Sequence, residues 1–296
     1  MPVPQRIAIT GASGLIGTAL VGHLKSEGHT VQRLVRRTPI SADEVQWDPQ
    51  TGFVDLEPLR GVDAIIHLAG VGVGDKRWNK KYKSEILNSR LLGTTAIAHA
   101  VAELKPQVFI SASAIGWYGE SGNRAVVETD RAGDDFLAAV CREWEGAADL
   151  AGETRTVKIR TGLVLDPTGG ALGKMLPLFR LGLGGKMGNG KQWWSWITLH
   201  DQIRAIVFAL ENPISGPVNL TAPNPVTNQE FTSALARAMH RPALFPVPGI
   251  ALKIALGGFS SEILGSKKVI PHALQEAGFT WDYPHISEAL GKLVED

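Results

Sequence analysis

The sequence predicts an α/β protein: a doubly wound parallel sheet with helices on both faces, followed by a smaller mixed α/β unit. Three observations carry that expectation. Short apolar runs alternate with stretches of helical period through the first half of the chain. A glycine-rich turn, TGASGLIG (residues 10–17), follows the first run and opens the first helix. After about residue 166 the composition shifts toward glycine, tryptophan and proline.

The elements follow in order. Residues 6–10 read as a strand. From Gly14 to Glu27 the residues Leu15, Ile16, Ala19, Leu20 and Leu24 fall on one helical face, and Gly28 supplies a stop. Strand patterns follow at 31–35, at 64–69 (AIIHLA) and at 108–113 (VFISAS), with a long helix over 84–103. A helix over 134–151 begins on two aspartates, where the macrodipole favours them, and 157–165 returns to strand. Segment 181–197, LGLGGKMGNGKQWWSWI, holds five glycines and three tryptophans, too glycine-rich for a helix and too aromatic for a linker. Beyond it lie a helix at 201–210 capped by Asp201, a strand at 216–221, a helix at 227–239 and a proline-punctuated remainder. The expected division is a nucleotide-binding unit over 1–166, to which the strand and helix of 201–222 return, and a substrate or cap unit over 167–296.

Of the 296 residues 44% are apolar, 20% are charged and the net charge is +1. A broad field for nucleic acid or anionic lipid is therefore not expected, and an anionic partner must be met by a local cluster. One cysteine, Cys141, excludes an intrachain disulfide and a cysteine-based zinc cage. No apolar run reaches membrane-spanning length, and no signal segment precedes the first strand. The expectation is a cytoplasmic protein, monomer or homodimer, acting on a small molecule and binding no metal.

Gly11, Gly14 and Gly17 have G-x-x-G-x-x-G spacing between a strand and a helix, the setting of a Rossmann-type dinucleotide site. Gly11 permits the tight turn, Gly14 admits a pyrophosphate, and Gly17 lets helix pack on strand. The phosphates then meet free N–H groups at the helix start, which adds Ser13, Leu15 and Ile16. At the end of the second strand an NAD site usually offers a carboxylate. Here Leu34–Arg37 reads LVRR, and the nearest acid is Asp43. Guanidinium groups suit a 2′-phosphate, so NADP is expected, with Arg36 the main contact and Val35 beside it. A solvated surface pair is the plain alternative.

TGASGLIG, DAIIHLAG (63–70) and VFISASAIGWYG (108–119) together resemble the extended short-chain dehydrogenase/reductase superfamily, in its NAD(P)-dependent epimerase/dehydratase branch. KRWN (76–79), SRLLGT (89–94), RTGLVLDPTGGAL (160–172) and the closing segment 245–284 are similar to its atypical SDR39U1-like "epimerase family protein" group, which has a small C-terminal domain. The resemblance implies NADP binding and leaves the reaction unassigned. It places Leu68 and Ala69 along the adenosine side, puts Glu85 and Arg90 on the following helix toward the cofactor, and adds Arg160. Ser111 and Ser113 end the strand whose hydroxyl hydrogen-bonds a substrate carbonyl or hydroxyl.

The superfamily's Tyr-x-x-x-Lys pair is missing. Tyr82, Tyr118 and Tyr283 are followed four residues later by Ile86, Gly122 and Ser287, and no lysine lies between Lys105 and Lys158. Leu137 and Cys141 occupy the expected positions. Cys141 sits on an apolar face and reads as a small hydrophobe. Ser113 and Tyr118 are the catalytic candidates, and the tryptophan-rich segment is a candidate lid. An oxidoreductase with a non-standard acid and a non-catalytic NADP(H)-sensing or scaffold protein both remain open.

Overall fold

The computed structural model describes residues 3–295. Strand β1 (Arg6–Thr10), helix α1 (Leu15–Ser26) and β2 (Thr30–Val35) form the first strand–helix–strand unit, with Arg6 paired in parallel to Thr30 and Thr10 to Leu34. β3 (Glu44–Asp48) extends the sheet outward in parallel, and β4 (Phe53–Val54) ends it antiparallel. On the other side of β1, β5 (Ala64–His67) is followed by α2 (Lys80–Leu104) and β6 (Val108–Ala114). The two-residue β7 (Ala125–Val126) and helix α3 (Phe136–Ala148) lead to β8 (Arg155–Thr161).

The chain then leaves the sheet. β9 (Leu163–Asp166), α4 (Gly170–Arg180), β10 (Trp193–Trp194) and β11 (Trp196–Thr198) form a side branch in which β9 and β11 pair in parallel. α5 (Leu199–Glu211) brings β12 (Gly216–Leu220) back beside β8. The remainder comprises β13 (Val226–Thr227), α6 (Asn228–Ala238), α7 (Gly249–Leu256), α8 (Ser260–Leu264), β14 (Lys268–Val269), α9 (His272–Glu276) and α10 (Ile286–Glu295). The eight-stranded sheet has the order β12-β8-β6-β5-β1-β2-β3-β4.

Both faces of the sheet are covered. Leu20 and Leu24 of α1, Ile206 and Leu210 of α5, Leu274 of α9 and Phe279 bury one face with Ile7, Ile9 and Ile159. Ile97 and Val101 of α2 and Ala148 of α3 bury the other with Ile65 and Phe109. A third apolar cluster joins Leu172 and Phe179 of α4 to Phe231 of α6, Leu290 of α10 and Trp196.

Local differences from the sequence expectation have physical causes. The 157–165 run divides at Gly162, where a Cβ would stand 2.7 Å from the Ser195 carbonyl oxygen, because the chain there swings to pair Leu163 with Trp196. α2 starts at Lys80 because the Asn79 side chain accepts from the Tyr82 N–H. Thr198, not Asp201, caps α5, and Asp201 accepts from the N–H groups of Asp282 and Tyr283. Strand β3 was not anticipated. Among the described residues no helix is long and apolar enough to cross a membrane.

Candidate functional site

The strand order reverses between β1 and β5, and open α/β sheets bind ligands in the crevice beyond the C-terminal strand ends at such a point. The glycine turn lies there. Gly11 has φ +70°, and a Cβ on it would stand 2.8 Å from the Leu68 and Ala69 backbone. A Cβ on Gly17 would stand 2.1 Å from the Gly11 carbonyl oxygen. Packing alone therefore demands both glycines. Gly14 differs: φ is −80°, and the nearest atom to a Cβ would be the Gly11 oxygen at 3.4 Å. Nothing in the chain requires a glycine there, which leaves the space for a ligand. No side chain caps α1, so the N–H groups of Leu15 and Ile16 face outward beside exposed Ser13.

At the end of β2 the arginines part company. Arg37 grips Glu44 with two hydrogen bonds of 2.6 and 2.8 Å, and Arg33 holds Asp43 at 3.1 Å. These contacts hold both carboxyls below their ordinary range: Arg33 and then Ser41 act on Asp43, and Arg37 and then the Ile40 N–H act on Glu44. Exposed Arg36, one residue past Val35, makes no hydrogen bond or ion pair with the described residues. The acids at the end of β2 are thus occupied, and among the described residues Arg36 has no partner.

Segment 68–79 after β5 is pinned by α2 and by its own Trp78. Ser89 accepts from the Val71 N–H, Arg90 donates to the Val71 carbonyl at 2.9 Å, Trp78 donates to Val73, and Tyr82 donates to Gly72. Thr10 Oγ1 accepts from the N–H groups of Leu68 and Ala69, so its own proton goes to His67 Nδ1 at 2.7 Å. Burial lowers the His67 pKa to about 3, which keeps the ring neutral. Arg90 is half-buried against the Trp144 ring at 4.8 Å with no carboxylate partner, and burial lowers its pKa. Glu85 does not share its place. It pairs with Lys76 at 3.4 Å.

Behind the end of β6 lies a buried polar chain. Ser113 Oγ donates to Glu145 Oε1 at 2.6 Å, and Arg160 donates to both oxygens of Glu145 at 2.8 and 3.0 Å. Arg160 also donates to the Tyr118 hydroxyl and the Glu128 carbonyl, each at 3.1 Å, and stacks on Trp117. Tyr118 in turn donates to Asn219 Oδ1 at 2.7 Å. Glu128 Oε1 accepts from the N–H groups of Asn219 and Ala273, and the Asn219 amide donates to the Ile270 carbonyl.

Two expectations change here. Arg160 is 2% exposed, and its guanidinium is spent on Glu145, Tyr118 and Glu128 rather than turned to a cofactor. The Tyr118 hydroxyl is equally committed, accepting from Arg160 and donating to Asn219, and burial raises its pKa to about 12. Ser113 remains at the crevice end of β6. Glu145, Asn219 and Glu128 were not foreseen. Only Glu145 carried a signal: it lies four residues past Cys141, on the apolar stripe of α3.

Leu137 and Cys141 are packed under Gly116, where a Cβ would stand 3.1 Å from Leu137 and 3.6 Å from the Cys141 sulfur. Burial first, then nearby Glu145, pushes the Cys141 thiol to about 12. It has no thiolate to offer at neutral pH. His200, Asp201 and Asp282 cluster, but Arg204 bridges the two aspartates at 2.9 and 3.1 Å and fills the place of a cation.

The chain has clear relatives. Residues 7–138 match the NAD dependent epimerase/dehydratase family, and residues 247–293 match a domain family of unknown function, DUF1731. An epimerase family protein of Mycobacterium leprae is 46% identical over 96% of this chain and 94% of its own. The crystal structure of human epimerase family protein SDR39U1 with NADPH has TM-score 0.91 and 33% identity over 98% of this chain and 99% of its own. A nucleoside-diphosphate sugar epimerase of Corynebacterium glutamicum has TM-score 0.79 and 36% identity over 99% of this chain, which spans 59% of that longer protein.

Proposed function

Since the chain belongs to the NAD dependent epimerase/dehydratase family, we propose that it is an NADP(H)-dependent oxidoreductase of a small hydroxyl or carbonyl compound. The observation that carries this reading is the division of labour after β2. Asp43 and Glu44 are taken up by Arg33 and Arg37, while Arg36 stays free where a 2′-phosphate would lie. The relative's NADPH supports the same choice. Gly11, Ser13, Gly14, Leu15, Ile16 and Gly17 would hold the pyrophosphate, with Leu68 and Ala69 along the adenosine and Arg90 above them as a second cation.

The nicotinamide supplies the two-electron acceptor or donor when bound. The residues of the chain handle the proton. Ser113 spends its own proton on Glu145, so it offers a lone pair to the crevice and accepts from a substrate hydroxyl. When that hydroxyl loses its proton to Ser113 Oγ, the serine's own proton passes to Glu145. Carbonyl reduction runs the same relay backward. Arg160 keeps the carboxylate aligned, and Tyr118 and Asn219 keep Arg160 in place.

The test is turnover of NADP+ with a panel of small alcohols and of NADPH with the matching carbonyls. Ser113→Ala should lose about 10²-fold or more, the scale of positioned acid–base catalysis, while NADPH titrates as in the wild type. Unchanged turnover in that variant would remove Ser113 from the mechanism. A second reading, an NADP(H)-sensing or scaffold protein, is favoured by one observation: the two positions of the missing dyad are filled by packed Leu137 and Cys141. A wild type that binds NADPH yet turns over no member of the panel supports it.

A further inference from the structure

The exposed apolar surface of the protein is concentrated in one place. Among the described residues, seven of the eleven exposed large apolar side chains lie in segments 178–183 and 244–254. Ile250 and Ile254, 73% and 71% exposed, stand one turn apart on α7, and Leu181, Leu183, Leu244 and Phe245 are also exposed. The two segments touch. Arg241 donates to the Arg180 carbonyl, the Val247 N–H donates to Lys186, and the backbone at Gly185 passes so close to the Phe245 carbonyl that a Cβ would stand 1.8 Å away.

The two stretches that carry this patch hold cations and no acid, and Glu230, at the border of the second, lines a hollow with Arg237. Residues 167–200 contain Lys174, Arg180, Lys186 and Lys191 and no acid. Residues 231–261 contain Arg237, Arg241 and Lys253 and again no acid. In a chain with 30 basic and 29 acidic residues such a separation is local and unusual. Within the chain Arg241 and Lys174 donate to the backbone carbonyls of Arg180 and Gly74. None of the seven has a carboxylate within ion-pair distance among the described residues, whereas Arg33, Arg37, Arg160 and Arg204 all do. A shallow hollow beside the patch is lined by Arg237, His240 and Arg241.

We infer that this face docks onto an anionic lipid surface, with Ile250, Ile254 and the neighbouring leucines seated at the headgroup boundary and the arginines and lysines on the phosphates. Apolar side chains flanked by unpaired cations match such a surface in both respects. A second copy of the chain is the poorer occupant, because a symmetric contact would bring two sets of cations toward one another. This is surface attachment, without a spanning segment. It stands apart from the chemistry at Ser113 and holds whether or not the protein turns over a substrate.

Co-sedimentation with phosphatidylcholine vesicles, with and without phosphatidylserine, tests the inference. The protein should pellet with the phosphatidylserine vesicles only, and added salt should release it. Arg241→Gln and Lys253→Gln should each weaken binding about fivefold, the scale for one cation at an anionic surface. Ile250→Asp with Ile254→Asp should lose roughly tenfold or more through the apolar contact. Each variant should titrate NADPH as the wild type does, which confirms its fold. Equal sedimentation with both vesicle types, or none with either, overturns the inference. So does a dimer in sedimentation equilibrium that Ile250→Asp with Ile254→Asp converts to monomer, which assigns the face to a second copy.

Discussion

Replacing Arg36 with alanine separates the two cofactors. The side chain is exposed and makes no ion pair or hydrogen bond within the described residues, so its removal leaves no buried charge unmatched and costs the fold little. Its expected role is one charge-assisted contact to a 2′-phosphate, a class worth about 1.5–3 kcal/mol. At 1.4 kcal/mol per decade, NADPH affinity should fall about 10- to 150-fold. NADH lacks that phosphate and should bind as before. Arg37→Ala is the built-in comparison. Arg37 is bound to Glu44, so its loss releases a carboxylate that Arg33, at 3.3 Å, and the Ile40 N–H still hold, and NADPH should weaken less. The assay is fluorescence titration of wild type and both variants with NADPH and NADH at fixed ionic strength. Equal wild-type affinity for the two cofactors refutes the reasoning, as does an Arg36→Ala variant that weakens both alike.

Further outcomes follow from the same geometry. Gly14→Val should fold and melt as the wild type does but fail to titrate NADPH, whereas Gly17→Val should not fold, because its Cβ meets the Gly11 carbonyl. Thermal melts and cofactor fluorescence read both, and a Gly14→Val variant that still binds shows the turn to be structural. Cys141, with its thiol raised to about 12, should resist iodoacetamide at pH 8 until the protein is denatured, and Cys141→Ala should keep NADPH binding and any turnover. Rapid labelling of the native protein contradicts that burial. His67 titrates near 3 folded against 6.5 unfolded, so between those values the unfolded chain binds the extra proton and stability falls as the pH falls. The full shift is on the order of 4–5 kcal/mol at 1.4 kcal/mol per unit. His67→Asn should flatten that slope in melts from pH 7 to 4, and an unchanged slope removes His67 as its source.

The sheet was legible because its signals are local. TGASGLIG sits between an apolar strand and an amphipathic helix, and each parallel strand is a run of buried residues that needs no partner in sequence to be recognised. Edge elements escaped for the opposite reason. Glu44–Asp48 mixes charges with Val45 and Trp47, since Glu44 faces Arg33 and Arg37 rather than the core, and its pattern falls below the strand threshold. At the site, the turn and the arginines were read from short spacings. The polar chain was not. Ser113 and Glu145 are 32 residues apart, and Tyr118 and Asn219 are 101 apart, so pairing them requires the fold itself. Tyr118, after a strand, reads from the sequence as an available acid, and the fold sets its hydroxyl between Arg160 and Asn219.

The return of β12 to the sheet sets an order of events during synthesis. β8 pairs with β6 on one side and waits for β12 on the other. Thr161 ends β8 and Gly216 begins β12, so 55 residues (216 less 161) must be added before the open edge has a partner. At about 5–20 residues per second the nascent chain carries a bare parallel edge for about 3–11 s. The apolar face is exposed for longer still, because Leu274 and Phe279 belong to the same cluster as Ile159. An unpaired edge above an uncovered apolar face is a template for joining other chains. A fragment ending at residue 166 would keep that open edge permanently and should aggregate where the full chain does not.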